Sequence, residues 1–204
     1  MQLALFTSTD KFRSEIYIIL KMFENGLETL HLKKPGFSKK QLKNYLNLIP
    51  KKHHNKIIIH SHYSLVITYN LKGIHISRSF RKSNFLNRLR INFIKLLKPK
   101  LVFTCTFHNL EQLLNHDKIY NYAFLSPIFN KEGILNIKFT EEAIISTLSQ
   151  INIKTYALGG INPQLYKKIY DLKFSGIGLM GSIWYGDDQP YDLFDQAKKS
   201  INYL

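Results

Sequence analysis

The chain has 204 residues, 45% of them hydrophobic, and its 29 Lys and Arg against 14 Asp and Glu give a formal net charge of +15. This length holds one sizeable core and excludes a second large domain, and the hydrophobic fraction excludes a disordered chain. The lysines are spread along the whole chain, so we expect no nucleic-acid partner. No apolar run reaches the length of a membrane span, so we expect no membrane segment. Cys105 is the one cysteine, so no internal disulfide can form and we expect a cytoplasmic protein.

From the N-terminus onward, short apolar segments alternate with helix-like segments. Eight of the apolar segments are predicted strands of a buried parallel sheet, and the first of them reads as a strand rather than a signal peptide. The predicted strands are Gln2–Phe6, Thr29–Leu32, Lys56–His60, Gly73–Ile76, Leu101–Cys105, Tyr122–Ser126, Lys154–Leu158 and Gly176–Met180. Eight alternating units in one domain, residues 1–204, predict an α/β fold of the single-domain (β/α)8 TIM-barrel type rather than an open doubly wound sheet.

Several intervening helices carry start signals, in which a short polar residue precedes the helix and a partner follows it. These pairs are Ser38 with Gln41, Asn109 with Gln112, Asn162 with Pro163, and Asp188 with Pro190. The last two helices are predicted to bury one apolar face each. Those faces are Leu165, Ile169 and Leu172, and then Leu193, Phe194, Ala197 and Ile201.

The last two predicted strands both end in glycine. Gly159 and Gly160 close the seventh strand and Gly181 closes the eighth, so both turns would lie at the carboxyl edge of the barrel. Glycine lets free backbone N–H groups approach an anion, and the loops after the last two strands of such barrels often bind phosphate. We therefore predict a phosphate site here, which suits a phosphorylated small-molecule substrate.

Four histidines lie on or just after predicted strands, at the edge where a barrel has its active site: His31, His60, His75 and His108. Histidine transfers protons near neutral pH. One such histidine alone favours a structural role, whereas four at one edge favour a shared pocket. His60 and His62 have the spacing of part of a zinc site, but no carboxylate stands nearby in the sequence, and we expect no metal site.

Other candidates follow the strands. Lys33 and Lys34 could contact phosphate or lie in a solvated loop, and the Thr106 hydroxyl is placed to face the pocket. Cys105 has no activating neighbour in the sequence and is predicted to pack in the core. Pro127 stiffens the exit from the sixth strand, and the loop at 130–133 is placed to cover a ligand.

The sequence resembles the thiamine phosphate synthase and TenI family over almost its whole length. Five segments carry the resemblance in order: 30–35 (LHLKKP), 73–76 (GIHI), 122–129 (YAFLSPIF), 157–161 (ALGGI) and 176–184 (GIGLMGSIW). The resemblance implies a TIM barrel acting on thiazole phosphate. Synthases couple it to a pyrimidine diphosphate with magnesium, whereas TenI-type members lack that activity and can aromatise the thiazole by proton transfer with a histidine.

Residue by residue, the resemblance matches Gly160 and the Met180-Gly181 backbone to the loops that hold thiazole phosphate. We predict a phosphate site of Gly159, Gly160, Met180, Gly181 and Ser182. From the strand-end positions we predict substrate binding by His31, Lys33, His60, His75 and Pro127, and catalysis by His108 with Thr106. His108 stands where TenI-type members carry their histidine, although synthases often have one there too.

The half of the family pattern that binds diphosphate and metal is altered. Lys33 replaces an arginine, and His60-Ser61 replaces an Asn-Asp pair. The acidic residue expected after the fourth strand falls near Phe80, so both magnesium carboxylates are missing. The usual Thr-Lys ending is absent from the loop after Phe129, where Lys131 remains an alternative.

These departures favour a TenI-like thiazole tautomerase that needs no cofactor, with Mg²⁺ required only if the protein acts as a synthase. The alternatives are a thiamine phosphate synthase and a non-catalytic phosphate-ligand binder or regulator. A zinc-dependent hydrolase using the histidines is a third class. The sequence leaves the choice between a monomer and a homo-oligomer open.

Overall fold

Eight parallel strands form a closed barrel, in which each strand pairs with the next along the chain and β8 pairs with β1. This confirms the predicted (β/α)8 fold. The structure is a computed structural model that describes residues 1–9, 14–82, 85–116 and 119–204. The strands are β1 (Gln2–Phe6), β2 (Leu30–Leu32), β3 (Ile57–Ile59), β4 (Gly73–Ile76), β5 (Val102–Phe107), β6 (Tyr122–Leu125), β7 (Lys154–Leu158) and β8 (Gly176–Leu179).

Helices surround the barrel and connect successive strands. They are α1 (Glu15–Glu24), α2 (Lys39–Asn47), α3 (Leu65–Thr68), α4 (Arg78–Lys82), α5 (Phe85–Leu97), α6 (Leu110–Leu114), α7 (Glu141–Gln150), α8 (Tyr166–Asp171), α9 (Gly181–Trp184) and α10 (Pro190–Asn202), with 3₁₀ turns at Lys51–Lys56 and Pro163–Leu165. Among the described residues, none of these helices combines the length and the apolar character needed to cross a membrane.

Two of the predicted helix caps are confirmed. The Gln41 N–H donates to Ser38 Oγ over 3.3 Å, and the Ser38 N–H donates to Gln41 Oε1 over 2.8 Å, which completes a capping box at α2. At α6 the Gln112 N–H donates to Asn109 Oδ1 over 2.8 Å. Each bond satisfies a backbone donor that the first turn of the helix would otherwise leave unpaired.

The other two predicted helix starts differ from the structure. Asn162 stands at the cap position, but its side chain makes no capping bond, because Pro163 opens a 3₁₀ turn before α8 begins. The prediction that Asp188 opens α10 was wrong, since the extended Gln189 is the cap residue and Pro190 is the first helical residue. Proline supplies the helical φ there, and its missing N–H is one that the first helical position would leave unpaired.

Aromatic side chains fill the inside of the barrel. Phe6, Tyr122, Phe124 and Tyr156 form a buried cluster there, with Ala4 and Ile58. The outward-facing strand positions pack against the helices in a second, larger cluster. Both faces of each strand are therefore buried, which explains the continuous apolar segments of the sequence. Polar side chains inside the barrel must consequently bond to one another.

Lys34 is neither a phosphate ligand nor a solvated loop residue, so both sequence interpretations were wrong. Its Nζ lies 2.7 Å from Glu15 Oε2, and the two side chains are only 3% and 2% exposed. Glu15 also accepts bonds from the Ser8 N–H and the Tyr45 hydroxyl, each over 2.7 Å. This buried network fixes the segment after β1 against α1 and α2.

Candidate active site

Three histidines from adjacent strands meet inside the mouth of the barrel. His31 lies on β2, His60 directly follows β3 and His75 lies on β4. Nδ1 of His31 is 3.0 Å from Nε2 of His60, and the rings of His60 and His75 stack with their centroids 4.2 Å apart. Three of the predicted substrate-binding residues therefore form one group, which we call the histidine cluster.

Hydroxyl groups hold two members of the histidine cluster from below. Nε2 of His31 lies 2.7 Å from the Tyr122 hydroxyl, on the opposite wall of the barrel. Nδ1 of His75 lies 2.9 Å from Thr104 Oγ1, and its Nε2 lies 3.2 Å from Thr106 Oγ1. Thr106 thus faces the barrel interior as predicted, but it contacts His75.

The histidine cluster is neutral at physiological pH. Burial holds the pKa of His31 and of His60 well below the ordinary value, and neighbouring imidazoles lower both further. Burial also lowers the pKa of His75 to about 3, and the positive charges of Lys33 and Arg81 act in the same direction. Each imidazole therefore retains one unprotonated nitrogen that can accept a hydrogen bond or bind a ligand.

Among the described residues, no ring contact or hydrogen bond joins His108 to the histidine cluster. His108 directly follows β5, and its Nδ1 donates to the Ser126 carbonyl over 2.7 Å. A neutral imidazole that donates through Nδ1 has its lone pair on Nε2. Half-buried and held in this tautomer, His108 has the form that a general base requires.

Pro127 links His108 to the glycine turn after β7. It follows Ser126 through a cis peptide bond, and a Cβ atom on Gly159 would lie only 2.9 Å from the Pro127 Cβ. The Phe129 N–H donates to the Gly159 carbonyl over 3.2 Å, which joins the same two loops. The loops after β5, β6 and β7 are thereby packed into one continuous wall.

The two glycine turns differ in how tightly they are packed. Gly160 has a φ of +66°, and a Cβ atom there would lie 2.3 Å from the Phe129 carbonyl oxygen, so this position requires glycine. Around Gly181, by contrast, no heavy atom of the described residues lies within 4 Å of where a Cβ would stand, apart from its chain neighbours and the backbone of its own helix. Met180 and Ser182, on either side of it, are half-buried. Only the second turn can therefore be substituted without disturbing the protein.

The remaining predicted residues lie at the edge of the mouth. Lys33 is exposed after β2, and Lys131 is exposed in the turn at 130–133, whose Asn130 side chain accepts from the Ile134 N–H over 2.8 Å. Cys105 is buried in the core as predicted.

Sequence reasoning missed Arg81 and Tyr122. Arg81 Nη2 donates to the Thr106 carbonyl over 2.7 Å, and its guanidinium lies 4.9 Å from the centre of the Phe107 ring. Tyr122 reaches His31 across the barrel. Tyr122 was predicted only as part of the sixth strand, Arg81 received no role, and no local pattern distinguishes them. Tyr122 meets His31 because the barrel closes, whereas Arg81 contacts the neighbouring strand β5.

Among the described residues, no group of three or more possible metal ligands at this mouth contains a carboxylate. Mg²⁺ prefers carboxylate and water oxygens in octahedral geometry. Ser61 and Phe80 stand at the positions where the family resemblance places carboxylates, and the one group of potential ligands in the described part of the chain consists of the three imidazoles.

We therefore expect no submillimolar Mg²⁺ binding in an isothermal titration of the protein without substrate. Titration with Ca²⁺ under the same conditions controls for weak surface binding. A saturable Mg²⁺ site of one ion per chain would contradict this expectation and would point to oxygen ligands that the alignment of motifs does not identify.

The comparisons with known proteins agree with the resemblance. Residues 3–183 match the family model described as thiamine monophosphate synthase. The structure of a thiamine phosphate pyrophosphorylase from Bacteroides thetaiotaomicron is similar at 30% identity and a TM-score of 0.78, over 99% of this chain and 96% of that one. No curated protein matches the chain.

More distant structures share the fold alone. A thiamine phosphate pyrophosphorylase from Pyrococcus furiosus has 13% identity and a TM-score of 0.78, over 99% of this chain and 96% of that one. A geranylgeranylglyceryl phosphate synthase from Thermoplasma acidophilum has 11% identity and a TM-score of 0.68, over 99% and 92%.

Proposed function

The chain belongs to the thiamine monophosphate synthase family, and from this membership we propose that it binds a thiazole phosphate at the mouth of the barrel and transfers a proton on the thiazole ring. This is the role of TenI-type members. The observation that carries the proposal is the bond from His108 Nδ1 to the Ser126 carbonyl, which in a neutral imidazole puts the lone pair on Nε2, next to the wall that contains the glycine turn after β7.

In this proposal the phosphate lies against the turns after β7 and β8. The amide N–H groups of Gly160, Gly181 and Ser182 have no acceptor among the described residues and supply donors for an anion. The thiazole ring then extends toward His108. Exposed Lys33 and the surplus of positive charge on the chain attract a phosphorylated substrate.

The proton transfer needs one group that removes a proton from a ring carbon and returns it to another. Neutral His108 accepts the proton at Nε2 and becomes an imidazolium, whose charge the Ser126 carbonyl stabilises through Nδ1–H. The same Nε2–H then protonates the second carbon. Aromatisation of the ring supplies the driving force, and this step requires no metal.

The alternative function within the family is coupling of thiazole phosphate to a pyrimidine diphosphate. The name of the Bacteroides thetaiotaomicron relative, a thiamine phosphate pyrophosphorylase, favours it. The mismatch between magnesium and the donor atoms at the mouth disfavours it. A regulator that binds thiazole phosphate without turnover is the remaining alternative.

Gly181→Val tests the phosphate site. The valine side chain enters open space, so we expect the melting temperature to be retained while calorimetric affinity for thiazole phosphate falls about 10- to 100-fold, because charge-assisted amide bonds worth about 1.5–3 kcal/mol are blocked. Gly160→Val is unsuitable, since its side chain would collide with the Phe129 carbonyl and disturb the fold.

Gly26→Asn is the matched control. It also changes a loop glycine, but one near the N-terminal end of β2, where a Cβ would meet only the flexible Lys198 side chain. Asparagine tolerates its φ of +83°. Unchanged affinity in Gly181→Val would place the phosphate elsewhere, and equal losses in both variants would mean that the effect is not local.

A further inference from the structure

The histidine cluster has the donor atoms of a transition-metal site. One nitrogen each from His31, His60 and His75 lie within 4.8 Å of one another, and the three residues come from adjacent strands of a rigid barrel. A tetrahedral Zn²⁺ with Zn–N bonds of about 2.0–2.1 Å holds its nitrogen ligands roughly 3.3 Å apart. The His31 Nδ1 to His60 Nε2 distance of 3.0 Å is already close to that separation.

We propose that His31, His60 and His75 form a Zn²⁺ site of three neutral imidazoles with an open fourth position. His31 binds through Nδ1, and His60 and His75 bind through Nε2. Three histidines with one open position is an arrangement that catalytic zinc sites use, whereas magnesium rejects nitrogen donors. The site does not depend on the proposed tautomerase function.

Groups around the cluster supply the second shell that zinc ligands need. With Nδ1 on the metal, His31 donates its Nε2–H to the Tyr122 oxygen, 2.7 Å away. With Nε2 on the metal, His75 donates its Nδ1–H to Thr104 Oγ1, 2.9 Å away. Such bonds fix the tautomer and the ring orientation of metal-binding histidines. The buried positions of Tyr122 and Thr104 hold both bonds in place.

Two features oppose binding and shape the site. The His60 and His75 rings are nearly parallel, with an interplanar angle of 11°, so they must tilt toward a common point and His75 must exchange its contact with Thr106 for the metal. No carboxylate belongs to the cluster within the described residues, and Lys33 and Arg81 add positive charge. This charge favours hydroxide or another anion as the fourth ligand.

Titration of the purified full-length protein with Co²⁺ tests the site, since Co²⁺ in a zinc site absorbs visible light. We expect one equivalent of Co²⁺ to give d–d absorption typical of a four- or five-coordinate nitrogen site, and Zn²⁺ to abolish it. His60→Asn, at the less buried end of the cluster, should lose the absorption. Tyr122→Phe should weaken Co²⁺ binding about 10- to 100-fold, as other losses of second-shell bonds do.

His62→Asn is the control. His62 lies two residues from His60, but its Nε2 bonds to the Phe37 carbonyl over 2.8 Å, and asparagine tolerates its φ of +51°. It should bind Co²⁺ like the unsubstituted protein. No stoichiometric absorption, absorption retained in His60→Asn, or loss in His62→Asn would each overturn the proposal. Thiazole phosphate calorimetry on the unsubstituted protein without added metal tests the proposed function separately from the metal site.

Discussion

Replacement of His108 by asparagine is expected to lower the rate of thiazole tautomerisation by about 10²- to 10⁴-fold, which is the usual contribution of general acid–base catalysis. Asparagine can still donate a hydrogen bond toward the Ser126 carbonyl, but it has no nitrogen that accepts a proton. Affinity for thiazole phosphate should change little, because the proposed phosphate contacts lie on the glycine turns. Single-turnover rates, calorimetry and melting temperature are measured on the same preparations.

His116→Asn is the matched control for this experiment. His116 is also half-buried and also bonds through Nδ1 to a backbone carbonyl, that of Leu113, over 2.8 Å, but it lies at the end of α6. If His108 served only to pack the loop, its replacement would lower the melting temperature and leave the rate per folded molecule intact. That result would end the catalytic assignment.

Lys34→Met is expected to destabilise the protein by about 3–5 kcal/mol, the usual cost of removing one partner from a buried ion pair. The Glu15 carboxylate would remain buried at 2% exposure without its cation, while the Ser8 N–H and Tyr45 hydroxyl still bind it. Methionine has nearly the length of lysine, so lost packing contributes little. Urea unfolding followed by circular dichroism measures the free energy of unfolding.

Lys56→Met is the comparison for Lys34→Met. It breaks the ion pair between Lys56 and Glu28, whose side chains are 24% and 75% exposed, respectively. Such exposed pairs contribute about 0–1 kcal/mol to the free energy of unfolding. Equal losses of stability in the two variants would show that the buried pair has no special role.

The sequence predicted the architecture well because its signals were local. Alternation of apolar and helical segments gave all eight strands within two residues at each end, and the Ser38 capping box formed as expected. The two predicted helix starts that differ from the structure, at Asn162 and Asp188, each lie beside a proline that sets where the helical turn begins. At Asp188 the signal pair was displaced by one residue, because the cap precedes Pro190 directly.

The sequence predicted at which end of the barrel the candidate site lies, but not how its side chains are arranged. Strand ends indicated which histidines lie at the mouth. The register of β2 against β3 puts His31 next to His60, and barrel closure puts His31 across from Tyr122. The partner of Lys34 was equally unpredictable. Its position after the second strand suggested a contact with phosphate, but it binds the carboxylate of Glu15, 19 positions earlier in the chain. Such partners are distant in sequence and follow no period.

The most direct test of the central claim is a pair of assays on the same protein. Thiazole phosphate in its non-aromatic tautomer is followed by NMR without Mg²⁺, and a parallel reaction contains thiazole phosphate, pyrimidine diphosphate and Mg²⁺. We predict conversion to the aromatic tautomer in the first assay and no thiamine phosphate in the second. Formation of thiamine phosphate that depends on Mg²⁺, with no tautomerisation, would contradict the account.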